Sequence, residues 1–124
     1  MAISTFNQGT PLANTLVYQS DGTSTGDDGI LTSGSTVFSI VVDNSANSGT
    51  GGDAYTKLYN GTAASSNDPF MVLFTYRATK RTYAFPEGIY FSGALGLRCV
   101  TGAATSNTTS PSSDVKIYIV GNKP

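Results

Sequence analysis

The sequence predicts an all-β fold, a single jelly-roll-like β-sandwich of about eight antiparallel strands. Short runs of β-branched and aromatic residues recur along the 124 residues, separated by loops of Gly, Ser, Thr and Asn. No stretch shows a helical period. Charged residues make up only 12% of the chain, which also carries 7 Tyr and 6 Phe, a composition typical of a folded sheet protein and not of a disordered chain. Eight strands favour a jelly-roll-like sandwich over a closed barrel.

The chain divides at residue 14. Residues 1–14 contain Gly9 and Pro11 and show no period, so we expect an extended N-terminal arm there and the sandwich domain over residues 15–124. Ile3 and Phe6 are the arm's candidates for anchoring it on a neighbouring molecule. No secretory signal is visible at the N-terminus, and no apolar run approaches the ~20 residues that a membrane helix needs.

The predicted strands follow in order. The first covers residues 15–19, and the loop after it carries Asp21, Asp27 and Asp28 among glycines. Their spacing does not match a calcium-binding loop, so turn chemistry is favoured over a metal site. Residues 36–43 are apolar on both faces, which indicates a central strand. A strand over 54–59 follows, and the continuous apolar run at 70–76 is the candidate for a fully buried strand.

The densest apolar stretch lies between residues 81 and 101. We expect a strand over 81–85, a tight corner at Pro86, Glu87 and Gly88, a short strand over 89–91, and a longer one over 95–101. Glu87 is expected to bond backbone amides in its corner. An alternating strand over 114–120 completes the set. We expect the stretch from residue 81 to residue 101 to be the hydrophobic spine that holds the two sheets together.

The inventory of reactive side chains predicts no enzyme, no cofactor and no metal. The chain has no histidine, which excludes a Ser-His-Asp triad, and it leaves Cys99 without the usual base. Cys99, the only cysteine, is expected to be a small buried hydrophobic residue. Glu87 is the only glutamate and has no evident carboxylate partner for glycoside hydrolysis. The net charge of −1 argues against nucleic acid as a partner.

Two groups of residues are candidates for binding a partner. Tyr55 and Tyr59 fall on one face of the 54–59 strand and could form a platform for a sugar ring or a protein. Arg77 and Lys80, with Arg81, form the only local positive cluster, which is either a solvated turn or a contact site.

The segments TVFSIVVDN, AYTKLYNG, YAFPEGIYFSGALGLRCVTGAA and VKIYIV together resemble a group of small all-β virion proteins of tailed bacteriophages. The family pattern, an aromatic-Pro-x-Gly-Ile turn followed by a Gly-initiated strand, falls here on Tyr83, Phe85, Pro86, Gly88, Ile89 and Phe91, then Gly93, Leu95 and Leu97.

The resemblance implies a non-enzymatic capsid decoration (cement) protein that binds the outside of a phage head and bridges capsid subunits. It implies the major capsid protein as partner, a homo-oligomer with a trimer favoured, assembly in the host bacterial cytoplasm, and no membrane or nucleic-acid partner. A tail- or fibre-associated β-module is the alternative within the class. A carbohydrate-binding β-sandwich module is the alternative outside it.

Overall fold

The computed structural model describes residues 15–23, 25–63 and 67–122. These residues form eight strands: β1 (Thr15–Gly22), β2 (Asp27–Leu31), β3 (Ser35–Asp43), β4 (Ala54–Asn60), β5 (Met71–Thr75), β6 (Lys80–Phe91), β7 (Leu95–Val100) and β8 (Val115–Asn122). Sheet A has the order β1-β8-β3-β6 and sheet B the order β2-β7-β4-β5, with antiparallel pairing throughout. The predicted all-β sandwich is confirmed. The described part of the chain contains no helix with the length and apolar character that a membrane crossing requires.

The order of pairing identifies the topology. β1 pairs with β8, β2 with β7, β3 with β6 and β4 with β5, so the first half of the chain lies against the second half like one long antiparallel ribbon. The additional pairs β3–β8 and β4–β7 roll this ribbon into two sheets. A rolled eight-stranded ribbon of this kind is a jelly roll.

The core lies between the two sheets and draws on alternate residues of the inner strands. β8 is buried at every second position, Val115, Ile117 and Ile119, and from sheet B Leu58, Leu97 and Cys99 join the same cluster. Cys99 is fully buried, as the sequence predicted. β3 is central in sheet A, also as predicted.

β5 does not have the position predicted for it. It is an edge strand of sheet B and not a fully buried one, because only Leu73 and Thr75 of its five residues are buried. Its chain continues into β6, which belongs to the other sheet, so residues 76–79 cross from sheet B to sheet A.

β6 is a single strand where the sequence predicted a strand, a corner and a second, short strand. It runs without interruption over twelve residues, and the expected corner is a bulge within it. Val37 lies opposite Ile89 while Ser39 lies opposite Ala84, so residues 85–88 of β6 stand against Phe38 alone. Gly88 has φ 81°, and a β-carbon there would collide with Thr36 Cγ2. The prediction of a corner is therefore wrong.

β2 is a strand that the sequence did not predict. Asp27 and Asp28 belong to this short edge strand of sheet B and not to a turn. The Asp28 Oδ1 atom accepts a hydrogen bond from the Ala63 amide at 2.6 Å, which fastens residues 61–63 to the sheet. Among the described residues, no group of three His, Cys, Asp or Glu side chains is placed to hold a metal ion.

Candidate functional site

The outer face of sheet B is largely covered by two connecting segments. Residues 61–63 cross it at Gly96, where a β-carbon would lie 2.8 Å from the Gly61 carbonyl oxygen. The β7–β8 connection (residues 101–114) crosses it at Lys57, whose Nζ donates to the carbonyl oxygens of Ala104 at 2.5 Å and Asn107 at 3.4 Å. Lys57 is only 1% exposed, and desolvation, aided by repulsion from Arg98, lowers the pKa of its ammonium group.

This covering removes the tyrosine platform expected on β4. Tyr59 is 2% exposed, so the expectation that its ring lies on an exposed surface is wrong. Tyr55 is only partly buried, and its ring packs on Phe74 with centroids 5.2 Å apart. The two tyrosines share a strand face, but they share no exposed surface.

A narrow part of the outer face of sheet B is left uncovered along β5. Val72 is 37% exposed and Phe74 is 38% exposed, and they lie opposite Lys57 and Tyr55 in the register. Tyr76, two residues further along, is 52% exposed. We call Tyr55, Val72, Phe74 and Tyr76 the open strip. Apolar side chains at this degree of exposure, set side by side, are unusual on a surface made mostly of polar loops.

The predicted positive cluster lies at the end of the open strip, but it divides into two parts. The guanidinium carbon of Arg77 lies 5.6 Å from the Tyr76 ring centroid, and that of Arg81 lies 5.2 Å from the Tyr83 centroid. Lys80 instead reaches Tyr118 of sheet A, with its Nζ 5.9 Å from the ring centroid. Arg77 and Arg81, the arginine pair, therefore adjoin β5, whereas Lys80 is directed to the other sheet.

Tyr83 joins the arginine pair to the strip. Its hydroxyl donates to the Phe74 carbonyl oxygen and lies 3.3 Å from Thr75 Oγ1, so it bridges the edges of the two sheets. This bond occupies a backbone acceptor on β5 that a further strand would need. The open strip is thus a surface of side chains and not a free strand edge.

Two buried asparagines position the connection that carries Arg77. Asn44 is fully buried, and its Nδ2 donates to the carbonyl oxygens of Gly52 at 2.8 Å and Thr75 at 3.2 Å. The Asn47 Nδ2 donates to Asn44 Oδ1 at 2.8 Å, and the Asn47 carbonyl oxygen accepts from the Ala78 amide at 3.0 Å. Both lie in residues 44–53, one of the segments rich in Gly, Ser and Asn that the sequence predicts to be loops. A pattern of Asn among Ser and Gly does not distinguish a buried network from a solvated loop.

Further polar groups fix the same connection. Asp53 Oδ1 accepts from the Arg77 backbone amide at 3.0 Å, so this carboxylate caps the turn and does not pair with the guanidinium group. Within the described residues, neither arginine of the pair forms an ion pair. Asp43, by contrast, lies between Lys80 and Lys116; its hydrogen bonds from Ser45 are the main cause of its lowered pKa, and the two lysines contribute.

The other candidates lie elsewhere. Ile3 and Phe6 belong to residues 1–14, outside the described part of the chain, as does the expected arm. The bulge of β6 lines an open depression of about 420 Å³ with Phe85, Pro86, Glu87 and Ile89. Glu87 is exposed, and no hydrogen bond to the backbone amides of this bulge is found for it among the described residues. Burial raises the pKa of the Cys99 thiol to about 12, which keeps it protonated and unreactive at neutral pH.

Comparison of the chain with known protein families, with curated proteins and with solved structures finds no match. The fold and the surface of the chain itself are therefore the basis for the functional interpretation.

Proposed function

We propose that this chain is a non-enzymatic structural virion protein of a tailed phage, a decoration protein that binds the outside of the head and bridges capsid subunits. The observation that carries the proposal is the jelly-roll topology, an architecture that recurs in viral capsid domains. The residues that carry the family resemblance form the bulge of β6, an edge strand of sheet A, and the start of β7, an inner strand of sheet B.

The surface supports a binding role better than a catalytic one. Among the described residues, the exposed large apolar side chains are Val72, Phe74 and Tyr76 of the open strip, with Phe70 and Tyr90 outside it. A decoration protein needs only modest contacts, because one oligomer touches several capsid subunits and weak contacts add by multivalency. The proposed partner is the major capsid protein, and the proposed form is a symmetric homo-oligomer, a trimer in the first instance.

The predicted N-terminal arm has a place in this proposal. Ile3 and Phe6 would anchor residues 1–14 on a neighbouring subunit or on the shell. Replacing both by Ser should weaken shell binding, and urea unfolding of the same variant checks that the sandwich remains stable. Unchanged shell binding would remove the arm from the mechanism.

The direct test uses heads assembled from the major capsid protein of the phage that encodes this chain. The purified protein should co-sediment with these heads in a saturable ratio and add density to their outer surface in electron cryo-microscopy. Light scattering on the protein alone should give the mass of a homo-oligomer. Absence of the protein from the sedimented heads would refute the proposal, and density on a tail instead would support the tail- or fibre-associated alternative.

A carbohydrate-binding module is the second candidate, because jelly rolls also occur in lectins and the Tyr76 ring is exposed. The platform first expected for sugar rings, Tyr55 with Tyr59, does not form. A glycan array separates the candidates, since a decoration protein should give no saturable glycan signal. Sugar binding that Tyr76→Ala abolishes, without any binding to heads, would favour the module.

A further inference from the structure

The open strip combines two properties that usually belong to contact surfaces. Its exposed side chains are aromatic or β-branched, and two arginines without an ion pair in the described structure lie near it, Arg77 at the Tyr76 ring and Arg81 at the Tyr83 ring. Aromatic residues and Arg are the types most enriched at protein interfaces. Each guanidinium group lies near a tyrosine ring, which leaves a planar set of donors suited to a carboxylate.

The size of the strip indicates what kind of partner it fits. Three side chains exposed by 37%, 38% and 52% amount to an apolar area on the order of 250 Å². A stable interface buries about 800 Å² on each partner, so the strip is too small to hold a second copy of the chain alone. It is the right size for one short segment of a larger partner.

The arrangement of the strip also defines the shape of that segment. Val72 and Phe74 lie two residues apart on β5, about 7 Å along the strand, and Tyr76 follows directly after the end of β5. An extended segment presents its side chains with the same period. Because Tyr83 already occupies the Phe74 carbonyl, such a segment would contact side chains and would not extend sheet B.

The charge at the end of the strip gives the remaining requirement. Arg77 and Arg81 stand within five residues of each other in a chain whose net charge is −1. Two carboxylates on neighbouring elements are already engaged, since Asp53 accepts from the Arg77 backbone amide and Asp43 interacts with Ser45, Lys80 and Lys116. A partner that carries carboxylates would supply the missing counter-charge.

We propose that the open strip and the arginine pair bind an extended acidic segment of a partner protein, with apolar side chains on the strip and a carboxylate on the arginines. This inference deepens the proposed function, on which it rests for the identity of the partner as a subunit of the shell. Tyr55 packs beside Phe74 within the strip, and the Tyr83 hydroxyl donates to the Phe74 carbonyl oxygen.

The test compares matched variants for binding to heads at low and at moderate salt. The double variant Arg77→Glu/Arg81→Glu reverses the charge, and Phe74→Ser removes the central apolar contact. Lys116→Glu/Lys123→Glu matches the charge change, with Lys116 on the outer face of sheet A, and Tyr90→Ser matches the aromatic loss at an exposed site near the far end of β6. Urea unfolding of each variant checks that the sandwich is intact.

We expect the site variants to weaken head binding by roughly tenfold or more and the control variants by less than about twofold. Binding by the wild type should also weaken as salt rises. Equal binding by site and control variants would overturn this inference and leave the proposed function standing, because the shell would then contact another face.

A second arm keeps the two proposals separable where the wild type does not bind heads. Fluorescence anisotropy measures binding of a labelled ten-residue peptide of alternating Glu and Val, a Lys and Val peptide, and a single-stranded oligothymidine. Binding of the acidic peptide alone, lost in Arg77→Glu/Arg81→Glu, supports the inference even though the proposed function has failed. Preference for the oligonucleotide, no binding to any probe, or concentration-dependent dimers that the site variants abolish would overturn it.

Discussion

Replacement of Asn44 by Ala should destabilise the protein by about 3 kcal/mol, and this value follows from the bonds that are lost. The side chain is fully buried and serves two carbonyl oxygens, of Gly52 and Thr75, and the amide of Asn47. Each buried polar group left without a partner costs about 1–3 kcal/mol. The two carbonyl oxygens lose their Asn44 donor, and Asn47 Nδ2 keeps only its bond to the Ser113 carbonyl oxygen at 2.9 Å, so a loss of about 3 kcal/mol is expected. Asn44 does not have positive φ, so Ala adds no strain of that kind.

Asn60→Ala is the matched control for this prediction. Asn60 also makes two side-chain bonds, accepting from the Gly93 amide at 2.6 Å and donating to Ser92 Oγ at 3.1 Å, but it is exposed. Water can replace both bonds, so its loss should cost less than about 1 kcal/mol.

Equilibrium urea unfolding gives the free energy for both variants, with the slope checked to show that the unfolded states are comparable. A loss of under 1 kcal/mol for Asn44→Ala, or equal losses for the two, would refute the reasoning. It would mean that the buried network is not what holds the connection between β5 and β6.

Three further predictions concern the core and the bulge. Gly88→Ala should lower the free energy of unfolding by at least about 2 kcal/mol more than Gly29→Ala. Both glycines have positive φ, but only a β-carbon at residue 88 would also collide with Thr36. Thermal or urea unfolding of the two variants measures the difference. The pKa of Cys99 is raised in the folded state from its ordinary 9.0 to about 12, so the unfolded chain releases this proton first and stability falls above pH 9. Relative to Cys99→Ala, the wild type should lose about 2 kcal/mol between pH 9 and 10.5, and identical pH profiles would contradict this. The pKa of Lys57 is lowered in the folded state below its ordinary 10.5, so the unfolded chain binds more protons than the folded one just below pH 10.5. The wild type should therefore gain stability relative to Lys57→Met as the pH rises toward 10.5.

The sequence predicted the inner strands well because their alternation reflects burial against two sheets. β3, β4, β7 and β8 all begin and end within two residues of the predicted runs. β2 was missed because an edge strand with one buried residue, Leu31, needs no apolar period, and Asp27, Asp28 and Gly29 have low strand propensity. β6 was divided because Pro86 and Gly88 are turn residues, and the sequence does not show that four residues bulge opposite Phe38.

The candidate site was only partly predictable. Arg77 was selected for its charge, which the structure places at the open strip, while Lys80, selected with it, is directed to sheet A. Tyr59 was selected for an exposed face that the connecting segments cover. Asn44 and Asn47 gave no signal, because their importance depends on carbonyl oxygens that come from distant parts of the chain.

The misassignment of β5 has a physical reason that bears on function. A strand with one face on the core and one in water should alternate apolar and polar residues, yet Val72 and Phe74 on the outer face are as apolar as Leu73 on the inner one. The apolar run predicted burial on both faces, and the described chain supplies only one. A second covering from a partner would reconcile the sequence with the structure. Val72 and Phe74, the residues that made the prediction for β5 wrong, thus belong to the open strip, for which we propose an acidic partner segment.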